Sequence, residues 1–215
     1  MVEQKLPKLT TRVRFPSPAP ILALVLVTSL CGAAIGARAN EARFAVDHPF
    51  ALLDADGKPV GDGDFPGKYL LVYFGYTHCA DECPTALSTI VEALNEIGPA
   101  ANSVQPIFIT VDPERDRGPA LRQFTAAFDP RIIGLTGSTD QVAVAAKALH
   151  IDFSKVFAGN DDYVIDHSTT LSIIGPDRGM AESVALTEPY QIAAKLIDEL
   201  AKGGVALGDV NNLRA

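Results

Sequence analysis

The apolar positions of this chain fall into blocks that alternate between two periods. Tyr69–Tyr76 reads YLLVYFGY, a short and almost wholly apolar run rich in β-formers. Such a run predicts a strand buried on both faces, near the middle of a sheet. From Pro84 the period lengthens. Leu87, Ile90, Val91, Leu94 and Ile97 recur at spacings of three and four, the buried stripe of a helix. Proline suits the first turn of that helix, and Gly98-Pro99 ends it. The alternation then repeats. Gln105–Val111 predicts a strand, Gly118–Phe128 a helix with Leu121, Phe124 and Phe128 inward, and Ile132–Leu135 a short strand. Ser138–Leu149 predicts a helix with a Ser/Thr cap.

Upstream, Phe50–Leu53 followed by Asp54-Ala55-Asp56-Gly57 reads as a strand and a turn. Downstream, Phe153–Asp162 shows no clear period and is expected to be irregular. Leu171–Ile174 is a strand ending in the turn Gly175–Gly179, with Ser183–Leu186 placed to return as a hairpin. Glu188–Lys202 is a last amphipathic helix. Strands alternating with helices, closed by a hairpin and a helix, predict a three-layer α/β domain with a central mixed sheet. The thioredoxin-like fold fits that order.

The N-terminus has a different texture. Lys5, Lys8, Arg12 and Arg14 precede an uncharged stretch from Pro16 to Ala37, whose apolar heart is Ile21–Leu30. Ala37-Arg38-Ala39 fits the small-x-small pattern before a signal-peptidase cut. The stretch is also near the roughly 20 residues that span a bilayer, so a retained anchor is the alternative. Leu30, where a small residue is expected, argues against lipidation of Cys31. Residues 1–39 are thus expected to be a signal peptide or membrane anchor, and residues 40–215 a folded domain outside the cytoplasm.

The chain carries 18 basic and 26 acidic residues, a net −8; beyond residue 39 there remain 13 and 25, a net −12. A body that acidic is unsuited to nucleic acid, whose binding draws on neutralised phosphates.

Of three cysteines, Cys79 and Cys83 form a close pair in the domain, between the predicted central strand and its helix. Open α/β sheets present reactive groups at the carboxyl ends of strands. A helix N-terminus is expected to favour the thiolate, both nucleophile and metal ligand. A structural disulfide, a redox pair and a metal site all remain open at this stage. Thiol–disulfide enzymes of this fold typically use Cys-x-x-Cys; here three residues intervene. Positions i and i+4 share one helical face, so both sulfurs can address one external atom. Two thiolates are soft donors that favour Cu(I), and an imidazole is the natural third ligand. Among four histidines, His167 stands at the entry to a core strand, where redox relatives of the fold carry a cis-proline. No proline occurs between Pro130 and Pro176. His78, beside Cys79, is expected to turn away and play a supporting part. His48 and His150 have no partner motif.

Several blocks make the chain resemble the Sco/SenC family of copper chaperones. They are Asp56–Val60 (DGKPV), Gly67–Cys79 (GKYLLVYFGYTHC), Cys83-Pro84-Thr85, Thr110–Asp116 (TVDPERD), Phe128–Arg131 (FDPR), Gly134–Gly137 (GLTG) and Tyr163–Ser168 (YVIDHS). The similarity runs from about Phe50 to Ala201. It implies that Cys79, Cys83 and His167 are copper ligands, and that Asp166 orients or tunes the histidine. It further implies copper delivery to the copper A site of cytochrome c oxidase subunit II. The competing implication is a thiol–disulfide oxidoreductase, with Cys79 and Cys83 as catalytic pair, that keeps that site's cysteines reduced. Other copper chaperones or thiol reductases would be further partners. With the basic, apolar N-terminus, the expected location is the periplasmic side of a bacterial inner membrane, anchored or secreted. One departure is Ala80, where the family often has proline.

Overall fold

The computed structural model describes residues 49–159, 162–186 and 188–207; the expected signal or anchor segment lies outside them. Thirteen longer elements follow in order: β1 (Ala51–Asp54), β2 (Pro59–Gly61), β3 (Tyr69–Gly75), α1 (Glu82–Glu96), β4 (Val104–Thr110), α2 (Gly118–Phe128), β5 (Ile133–Thr136), α3 (Thr139–Ala148), β6 (Phe153–Gly159), β7 (Asp162–His167), β8 (Thr170–Ile174), β9 (Met180–Ala185) and α4 (Pro189–Lys202). Among the described residues no helix is long and apolar enough to cross a membrane.

Seven strands form one mixed sheet in the order β2-β1-β5-β4-β3-β8-β9. β3, β4 and β5 are parallel, and their neighbours run antiparallel to them. Every residue of β3 is buried, as its unbroken apolar run requires of a strand covered on both faces. Tyr69, Tyr73 and Gly75 share one of those faces by the two-residue period. There Tyr69 Oη donates to the Glu199 carbonyl of α4 at 2.8 Å, Phe108 of β4 packs on Phe124 of α2, and Gly75 backs onto Cys83 of α1. α1, α2 and α4 therefore line one face, as two successive right-handed crossovers demand of α1 and α2. The fold is the expected thioredoxin-like one.

The elements follow from local chemistry. Ser138 caps α3: its Oγ accepts the Gln141 amide at 3.2 Å while Gln141 Oε1 accepts the Ser138 amide at 2.9 Å. α1 begins at Glu82, two residues before the expected start, with Pro84 inside its first turn. One expectation is overturned. Phe153–Asp162 is not irregular: Phe153–Gly159 is a strand, paired with β7 as a separate two-stranded sheet. Its register sets Phe153 opposite His167, Lys155 opposite Ile165, and Phe157 opposite Tyr163. The apolar pattern misses it because Val156, Phe157 and Val164 are exposed, so no buried face imprints an alternation on the sequence.

Candidate metal centre

The cysteine segment begins where β3 ends. Gly75 is required there by close approach. A Cβ at that position would lie 2.9 Å from Cys83 Sγ and 2.8 Å from the Phe108 ring. Cys83, in the first turn of α1, has no exposed surface. Burial pushes its thiol up to about 12, with the neighbouring Cys79 adding to the effect. The expectation that the helix N-terminus makes this thiol acidic is thus corrected: desolvation of the charged form outweighs the dipole. Cys79 is half-buried, and its Sγ accepts the Cys83 backbone N–H at 3.3 Å. Both cysteines are free thiols. Behind them the Tyr73 hydroxyl is fully buried beside the Cys83 thiol, and burial, with that thiol adding to it, raises the phenol's pKa so that it stays neutral.

His167 arrives from the other sheet, as the last residue of β7. Its Nδ1 lies 3.0 Å from the Ser168 carbonyl, which fixes the ring and leaves Nε2 facing Cys83 Sγ at 3.7 Å. The ring stands edge-on to Tyr73 and Tyr76, each 6.1 Å away between centroids. Asp166 is exposed; the partner the structure gives His167 Nδ1 is the Ser168 carbonyl. Among the described residues no peptide bond is cis.

The pair Cys83–His167 suits a metal. With metal–sulfur and metal–nitrogen bonds of about 2.3 and 2.0 Å at angles of 110–120°, the two donor atoms stand about 3.5–3.7 Å apart. The thiol-imidazole separation already has that value. Cys79 does not yet join them: among the described residues no three His, Cys, Asp or Glu side chains converge on one point. Its sulfur is turned onto the Cys83 amide.

The β4–α2 loop braces both parts. Asp116 is completely buried and accepts from the Thr77 amide at 2.7 Å and from the Thr77 and Thr110 hydroxyls at 2.5 and 2.7 Å. It thereby pins the segment just ahead of Cys79. His78, largely exposed, rests 3.1 Å from Thr77 Oγ1 and 3.5 Å from Asp116 Oδ1. Asp112, equally buried, accepts from Tyr163 Oη at 2.9 Å and pairs with Arg115. Thr110–Asp116 was legible as a motif, but Asp116, Asp112, Arg115 and Tyr163 carried no sign of their roles. The contacts that tie this loop to the cysteine segment and to β7 join residues 39 to 51 positions apart.

The sequence pattern named SCO1/SenC matches residues 38–202. The chain belongs to the SCO1/SenC family. Among curated proteins it is similar to the mitochondrial SCO2 homolog of Mus musculus, with 38% identity over 174 residues, 71% of this chain and 68% of that one. It is 37% identical over 132 residues to the mitochondrial SCO1 homolog of Homo sapiens, 60% of this chain and 44% of that one. The chain spans about half the length of most of the curated relatives it matches. Among solved structures, Bradyrhizobium japonicum ScoI with copper bound superposes with a TM-score of 0.64 at 37% identity, covering 70% of this chain and 97% of that one. Both Sco ligand candidates from the cysteine loop and the one from β7 lie inside the matched region.

Proposed function

We propose that this SCO1/SenC protein is a copper chaperone for cytochrome c oxidase assembly, holding copper as cargo through Cys79, Cys83 and His167 and delivering it to the copper A site of subunit II. The observation that carries the reading is the 3.7 Å separation of Cys83 Sγ and His167 Nε2, a ligand–ligand distance brought about by two different sheets. Copper-bound structures of similar proteins support it. In this reading Cys83 gives up its proton when copper arrives, Cys79 leaves the helix N-terminus to complete the donor set, and the Ser168 carbonyl keeps Nε2 of His167 free to bind. Two thiolates and an imidazole suit Cu(I). The basic head and apolar stretch suit a location on the periplasmic side of a bacterial membrane, although the curated relatives named above are mitochondrial.

A second reading has its own support. A half-buried Cys79 at a helix N-terminus, with a buried Cys83 behind it, is also an arrangement for thiol exchange. Cys79 thiolate would attack a partner disulfide, Cys83 would displace the mixed disulfide, and the partner would leave with two electrons and two protons gained while Cys79–Cys83 became a disulfide.

His167→Ala separates the two. The variant is expected to keep both thiols and their exchange rate, bind copper about a hundredfold more weakly, and fail to restore copper A oxidase in a deletion strain. If His167→Ala restores oxidase fully while Cys79→Ala does not, the thiol-exchange reading replaces copper delivery.

A further inference from the structure

Three successive inward side chains of β7 do different work. Ile165 is buried in the core, His167 faces Cys83, and Tyr163 is gripped from the β4–α2 loop. The Arg115 guanidinium carbon lies 3.8 Å from the centre of the Tyr163 ring, close enough for a strong cation–π contact. Arg115 Nη1 donates to the Tyr163 carbonyl at 3.2 Å. Tyr163 Oη donates to Asp112 Oδ1 at 2.9 Å, and the same carboxylate pairs with Arg115 Nε through its other oxygen. Guanidinium, phenol and carboxylate thus close a ring of contacts around one residue of the hairpin. Tyr163 lies four positions before His167, about 13 Å along a strand.

From the opposite side of the same loop, Asp116 holds Thr77, two residues before Cys79. Residues 112–116 therefore hold both the cysteine segment and the strand that carries the histidine. Among the described residues β7 pairs with β6 alone, outside the main sheet, so side-chain contacts, rather than pairing into that sheet, hold it over the cysteines.

We infer that Arg115, with Tyr163 and Asp112, is a positioning residue for the metal centre: it clamps β7 so that His167 is held at ligand distance from Cys83. The inference rests on the proposed copper site for its consequence, but not for its geometry. Arg115 and Tyr163 act on His167 through the strand, and Arg115 also lies 6.0 Å from the centre of the Tyr76 ring that His167 meets edge-on.

The test uses the full chain carrying Arg115→Gln or Tyr163→Phe. The second removes one hydroxyl and guards against a variant that does not fold. Two measurements are made. In the metal-free protein, the imidazole proton shifts of His167 report its place between the Tyr73 and Tyr76 rings. They are expected to move toward free-histidine values in both variants, further in Arg115→Gln. In the Cu(I) protein, transfer to a competing chelator is expected to speed up about tenfold in Arg115→Gln while one copper per chain is retained. Combined with His167→Ala, Arg115→Gln should add nothing, because the ligand it places is gone. Unchanged imidazole shifts in both variants overturn the clamp, as does full additivity in the double variant. If the wild type takes up no copper, the proposed function fails, and the imidazole shifts still decide the clamp.

Discussion

Cys83 sits with no exposed surface behind a strand that is buried along its whole length, whereas His167, 84 residues further on, ends a two-stranded hairpin whose outer side chains face water. The first half of the centre is a platform, fixed by parallel pairing of β3 with β4 and by the close fit of Gly75, Phe108 and Cys83. The second half is an arm, fixed by the Ile165 side chain and the Arg115–Tyr163–Asp112 contacts. The difference teaches where changes should register. Platform changes should cost fold stability first, and arm changes should alter metal retention with the fold intact.

The largest expected effect breaks the platform. Asp116→Ala leaves the half-buried Thr77 amide and hydroxyl and the buried Thr110 hydroxyl without this acceptor. Urea unfolding should show a loss of about 3 kcal/mol. A loss below about 1 kcal/mol would mean that the cysteine segment is held by something other than this carboxylate.

A smaller effect sharpens the comparison through protons. The Cys83 thiol, ordinarily near 9.0, is pushed up to about 12 by burial. A neutral buried thiol contributes stability in full below the unfolded value of 9.0, and loses it as pH climbs toward 12. In the proposed site copper displaces that proton, so the Cu(I) affinity should strengthen at least about tenfold per pH unit between roughly pH 6 and 8. Competition titrations at three pH values measure this. A flat profile would show that Cys83 does not bind as thiolate.

The smallest effect is at the tip of the arm. Phe157 is 71% exposed and opposite Tyr163. Phe157→Ser should change stability by less than about 0.5 kcal/mol and leave copper retention alone. A variant that holds copper less well would mean that the arm is set from its tip, against the clamp.

The same contrast decides what could be read from the sequence. β3, α1, β4, α2 and α3 were legible because each buries a face, and burial writes a period into the chain. The Ser138 cap was legible because its partner is three residues away. The cysteine pair announced itself by spacing. The β6 strand did not, since Ser154, Lys155, Val156 and Phe157 are all exposed and its pairing is made by backbone groups that leave no mark on residue type. The state of Cys83 was misread for a related reason. Its place at a helix N-terminus is a local fact, while its desolvation depends on Phe108 and Tyr73 from neighbouring strands. Asp112 and Asp116 stood in a recognised motif, yet Tyr163 and Thr77, the partners that tie them to the site, lie dozens of residues away, and only the folded chain brings them together.

Gly75 carries a lesson for anyone screening variants or searching genomes for centres of this kind. It ligates nothing and lies in a strand, so a catalogue of donor residues would pass it over. Yet the space a methyl group would need is already taken by the Cys83 sulfur and the Phe108 ring. A single added carbon would push on the sulfur proposed to hold copper. Four residues ahead of the first cysteine, an empty side chain is as informative a mark of this centre as the thiols themselves, and a variant there should be filed with ligand changes rather than with ordinary strand substitutions.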